Sequence, residues 1–166
     1  MTPTITPGNT MQGLGYYRTS GLGRTAQQLA QFISSEGTAT FQLAIILRAK
    51  FDAVSGLRDI YQDCSVPNWD AEGANPISDG AYREASRLIK LLPVVVPMPE
   101  IVPVPNGQIG LEWYLTQGRS FIVAVGGTQI LTYAGQFGLD RSAHGTEPFT
   151  DSLPVSVVNN LQRLYS

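Results

Sequence analysis

A single cysteine, Cys64, occurs in the 166-residue chain, so no intrachain disulfide framework can form, and a buried thiol in a reducing compartment is the expectation. Histidine is equally scarce. His144 stands without the cysteine or carboxylate spacing of a zinc site. Charge is sparse, at 14% of residues, and nearly balanced: 11 basic against 13 acidic side chains give a net charge of -2. Neither half departs from that balance, with six basic and seven acidic residues in 1–83 and five and six in 84–166. Broad attraction to nucleic acid or to an anionic membrane therefore has little support. No apolar run is long enough to cross a bilayer readily, and the first residues lack the basic-then-apolar pattern of a secretory signal, so a cytoplasmic location is expected.

What is present is a 43% apolar chain, long enough for one hydrophobic core. Residues 1–24 are rich in threonine, proline and glycine and read as a flexible or anchoring arm, with Tyr16 and Tyr17 as its local anchors. Residues 25–166 read as one α+β domain, in which 25–62 form a helical extension and 63–166 a sheet-containing core. Thr25 is placed to cap a short helix carrying Leu29, Phe32 and Ile33. A second, longer helix offers Phe41, Ile45, Leu47, Phe51, Val54 and Leu57 to its buried side. Gly56 is a candidate break in it, since glycine costs about 1 kcal/mol relative to alanine in a helix. The stretch 64–80 has loop punctuation in Pro67 and Gly73. Ser78 then caps a helix whose Tyr82, Ala85, Ile89 and Leu92 share a face.

The proline-rich "PVVVPMPEIVPVP" predicts an extended connector, part of it at the edge of a sheet. Three strands follow, at 109–115, 120–125 and 129–134, approached or separated by Asn106-Gly107, Gln117-Gly118 and Gly126-Gly127. They form an antiparallel meander. Period-two alternation puts 109, 111, 113 and 115 on the core side and Glu112 with Tyr114 on the other. "QFGLDRSAHGTEPFTD" reads as a long connection, and Pro154 opens a terminal helix that packs through Val157, Val158, Leu161, Leu164 and Tyr165. The expected fold is an α+β domain with an antiparallel sheet of three or four strands covered by helices.

Chemistry-bearing residues are few. Asp70, Glu72, Glu112 and His144 would form a carboxylate-centred polar site if folding brought them together, with Glu112 as general base. Separately, Asp70 is a loop hydrogen-bonder and Glu112 a solubilising surface residue. Cys64 has no adjacent base, and no GxSxG elbow accompanies the serines. "GLGRT", with Arg24, lacks the lysine and strand-to-helix setting of a phosphate loop. Tyr16, Tyr17 and Arg18 are the residues on which a nucleic-acid reading would rest. No cofactor is called for, metal binding is left open, and enzymatic activity is undecided.

The blocks "CSVPNWDAEGANPIS", "LLPVVVPMPEIVPVPNGQIGLEWY" and "YAGQFG" with the later "HG" and "LPVSVVNNLQRL" resemble a recurring group of small uncharacterised bacterial proteins. The resemblance spans about residues 60–166 and includes the run Trp69 to Ala74, Gly107, Glu112-Trp113-Tyr114 and Tyr133-Ala134-Gly135. It implies no reaction. Proteins of this kind occur among mobile-element, phage or defence-associated genes, which implies interference with another macromolecular machine. The leading expectation is a noncatalytic protein-interaction or regulatory module, self-associating or docking another protein, with Glu112, Tyr114 and Tyr133 as contact candidates. The alternatives are a small hydrolase or transferase built on the carboxylates, and a nucleic-acid-binding accessory protein.

Overall fold

The computed structural model describes the backbone from Arg24 to Ser166, and side chains from Ser35 onward with Glu36 excepted. The expected arm of residues 1–24, the "GLGRT" motif, Tyr16, Tyr17, Arg18 and the side chains of Leu29, Phe32 and Ile33 lie outside what is described. Two compact units divide the chain, Met1–Phe41 and Gln42–Ser166. Within the first, the described backbone is helical from Arg24. The second holds the sheet and its covering helices.

Where two helices were expected before residue 64, there is one, α1 (Arg24–Cys64). Gly37 and Gly56 both lie inside it, and among the described residues neither meets an atom, beyond its own turn of helix backbone and chain neighbours, within 4 Å of where a side chain would start. Each costs about 1 kcal/mol of helix propensity, too little to interrupt a helix held by many neighbouring turns. A loop leads to α2 (Asp79–Leu91), whose N-cap Ser78 accepts a hydrogen bond from the Ala81 amide, as the sequence suggests.

The sheet has five strands rather than the three or four expected: β1 (Glu100–Pro103), β2 (Ile109–Thr116), β3 (Arg119–Val125), β4 (Ile130–Phe137) and β5 (Ser142–Pro148). They run as an antiparallel meander in chain order, so β1 and β5 are its edges. The strand missed by the sequence is β5, which the pattern reads as loop. Its residues, Ser-Ala-His-Gly-Thr-Glu-Pro, have almost no intrinsic strand preference and no apolar alternation, and β4 supplies the backbone partners that hold them extended. His144 is therefore a strand residue and not a loop residue. Helix α3 (Val155–Tyr165) ends the chain, with Pro154 at its N-cap.

Alternation in the meander builds one covered face. Ile109, Leu111, Trp113, Phe121, Val123, Val125, Leu131 and Phe137 are buried there. Ala81, Ala85, Leu88 and Ile89 of α2, Val157, Leu161 and Leu164 of α3, and Leu57 and Cys64 of α1 join them in a single cluster. Burial of this size, at roughly 25 cal/mol per Å² of apolar surface, is the main force holding the layers together. Polar groups fix the register of the layers. The Trp113 indole donates to Pro97 O at 2.8 Å, Arg119 donates to Leu164 O at 2.6 Å at the end of α3, and Lys50 donates to Lys90 O and Leu92 O, both at 2.8 Å, at the end of α2. Each cation meets the carbonyls that a helix leaves unpaired at its C-terminus. Among the described residues, no helix is long and apolar enough to cross a membrane.

Candidate functional site

The carboxylates and the imidazole singled out in the sequence sit apart. Glu112 and His144 both project from the open face of the sheet, in one cross-strand row that runs Glu100, Glu112, Ile122, Ala134, His144. Three strand intervals separate them, about 14 Å at about 4.8 Å per strand. Side chains stand roughly perpendicular to a sheet, so Ile122 and Ala134 lie between the acid and the ring. Asp70 and Glu72 belong to the loop after α1. Asp70 is committed locally: one carboxylate oxygen accepts from the Glu72 amide at 2.8 Å and the Ala74 amide at 3.0 Å. Those bonds, the Ala74 amide first, hold its carboxyl below the usual aspartate range. The loop is further pinned by Asn68, which accepts from Gly73 N, and by the Trp69 indole, which donates to Asn75 O. Among the described residues, no three histidine, cysteine or acidic side chains gather in a way that could hold a metal ion.

The three contact candidates do not share a surface. Tyr114 is 66% exposed on the open face beside Glu112, whereas Tyr133 points into the covered face. There its ring centroid lies 5.9 Å from that of Phe121, and it lies across Gly145 of β5 so closely that a side chain at Gly145 would start 2.5 Å from the phenol oxygen. Tyr133 is a packing residue at the rim of the core. Cys64 is buried, and burial raises its thiol pKa, which disfavours the thiolate a nucleophile needs.

A residue that the sequence reading passed over is Glu84. It sits on the apolar stripe of α2 between Ala81 and Leu88, is almost fully buried, and accepts hydrogen bonds from Gly127 N at 2.7 Å and Gln129 N at 2.5 Å in the β3–β4 turn. The turn approaches the helix so closely that a side chain on Gly80 would start 2.9 Å from the Gly127 Cα, and Gly127 itself has φ +87°. An acid on the buried stripe of an amphipathic helix was the available signal. Its role is to hold the turn to the helix.

The larger departure from the sequence is on α1. Of the side chains assigned to its buried side, Leu57 is buried and Val54 packs against the core, but Phe41 is exposed, as are Ile45 at 49%, Leu47 at 58% and Phe51 at 72%. Leu43, at 53%, is exposed too. Residues 37–47 carry no charge at all. Beside Ile45, Ile46 and Ala49 runs the segment 94–98, where Val94 and Val95 are exposed, and a groove of about 250 Å³ lies between them, with Met98 also lining it. A larger open recess, about 740 Å³, lies along the β2–β3 and β4–β5 turns among Thr116, Arg119, Gln136, Leu139 and Arg141. It is a shallow, polar-rimmed surface, and none of the four polar-site candidates lines it.

No protein-family model matches the chain, and neither a curated protein nor a solved structure is significantly similar to it.

Proposed function

We propose that the protein is a noncatalytic protein-interaction module that docks another protein on the apolar surface formed by residues 43–51 of α1 and residues 94–98. The observation that carries this reading is the exposure of Ile45, Val94 and Val95 around an apolar groove, on a helix whose Leu43, Leu47 and Phe51, spaced four residues apart, form a second exposed apolar stripe. Phe51 and Leu47 are the anchors, because large apolar side chains that enter a partner's pocket dominate binding energy. Arg48 and Asp52, an exposed pair 3.7 Å apart, lie at the polar rim. The resemblance to small bacterial proteins of mobile-element or defence settings makes a component of such a system the partner we favour.

The test is a photoreactive amino acid placed at Leu47 or Val95 of the full chain in its source cells. A discrete adduct with one other protein at both positions, absent with the probe at exposed Asp63, is the expected result. No adduct at either position, or the same adduct at Asp63, refutes the surface.

A further inference from the structure

The two edges of the sheet are chemically unlike. Beyond β1, Val104 N donates to Gln108 O, so the even-numbered amides there turn toward β2 and the odd-numbered ones toward the open edge. Pro99, Pro103 and Pro105 take three of the four odd positions from 99 to 105, leaving the Ile101 amide as the one donor on that side. A proline-blocked edge cannot accept another strand's full ladder.

The opposite edge carries no such block. Phe137 N donates to Arg141 O and Phe149 N donates to Gln129 O, so the odd-numbered residues of β5 turn their backbone groups to β4. Ser142, His144 and Thr146 turn theirs outward, all three are exposed, and among the described residues these groups bond to no other segment. Lysine is absent from β5, and its one proline is the last residue, Pro148. The side chains that flank a new strand, Ala143 and Gly145, are small.

We infer that β5 pairs antiparallel with β5 of a second copy, His144 facing His144 across a two-fold axis, so that two sheets join into one. The charges along the strand select this register. It matches Ser142 with Thr146 of the second copy and His144 with its counterpart, and thereby uses every outward N–H of both strands. It also sets Arg141 opposite Glu147 of the second copy, and by symmetry Glu147 opposite Arg141. Both are odd-numbered positions on the same face of the strand, so an opposite-charge pair forms twice. The pairing is independent of the α1 surface, which belongs to a different side chain set and a different partner.

Sedimentation velocity on the full chain across a range of concentrations, with amide hydrogen exchange on the same samples, tests this. A reversible dimer is expected, with protection at Ser142, His144 and Thr146 rising with protein concentration. Thr146→Pro removes an outward donor from each copy and should reduce the dimer to monomer. Arg141→Glu and Glu147→Arg should each weaken association by at least about fivefold, and the double reversal should restore it. Arg141 is exposed, whereas Glu147 is half-buried with the Tyr133 hydroxyl 3.5 Å from its carboxylate, so the Arg141 reversal and the rescue by the double reversal carry the test if the proline variant fails to fold. A monomer at every concentration overturns the pairing. So does a dimer that ignores the three substitutions, or one abolished by Leu47→Glu with Phe51→Glu, because that dimer would be held by α1.

Discussion

Residues 42–51 and 53–64 of α1 are one helix and both are rich in apolar side chains, yet the structure treats them in opposite ways. In the second stretch Leu57 and Cys64 are buried, and Ala53, Val54, Ile60 and Tyr61 pack against them. In the first, Leu43, Ile45, Leu47 and Phe51 face solvent. Lys50 marks the change, its ammonium bonded to the last carbonyls of α2. The difference teaches that helical periodicity identifies an apolar face but says nothing about whether a second layer reaches far enough to cover it. An apolar face without a layer is surface, and its cost in solubility argues for a partner.

The sharpest way to widen that contrast is truncation on each side of Lys50. Leu57→Ala should destabilise the protein by about 2–5 kcal/mol, since it leaves a cavity in the core, while Leu47→Ala should stay within about 0.5 kcal/mol of wild type. Urea unfolding of both variants decides this, and equal losses would erase the distinction. The same division applies to two glutamates. Glu84→Ala strips two turn amides of their acceptor inside the layer and should cost about 1–3 kcal/mol, whereas Glu112→Ala on the open face should cost about 0.5 kcal/mol or less. At the boundary itself, Lys50→Met keeps the aliphatic stem and loses the two carbonyl contacts, for an expected loss of about 1 kcal/mol in the same assay.

The smallest effect concerns the loop that follows the packed end of α1. Asp70 has a folded pKa lowered below its unfolded value by the Ala74 and Glu72 amides. Its stabilising contribution is therefore present above the unfolded pKa of about 3.9, and is lost as pH falls from there through the lower folded value. Hydrogen exchange at the Glu72 and Ala74 amides should accelerate over that acid window. In Asp70→Ala those amides should already exchange fast at neutral pH, and an unchanged profile in the variant would contradict the assignment.

Much of the sheet was legible because its signals are local. Gly107, Gly118 and Gly127, read as turn residues, all have positive φ, and the alternation of 109, 111 and 113 against Glu112 and Tyr114 is the alternation observed. Strand β5 escaped notice because an edge strand half open to solvent needs no apolar pattern, and nothing in "SAHGTEP" announces one. Tyr133 does not join Glu112 and Tyr114, because its odd number, counted through the β3–β4 register opposite Val123, places it on the covered face. Register between strands is a tertiary property, and the turn sequence alone did not fix it. The same is true of the α1 surface: its apolar residues were plain in the sequence, but the end of the covering layer is set by where α2 stops.

The most direct measurement pairs stability with contact in one variant, Leu47→Glu with Phe51→Glu, carrying the photoreactive probe at Val95. Glutamate keeps helix propensity, so unfolding free energy should stay within about 1 kcal/mol of wild type while the adduct to the partner protein disappears. A loss of several kcal/mol would mean that these side chains belong to the core, and an adduct that survives both substitutions would mean that the surface is not where the partner binds.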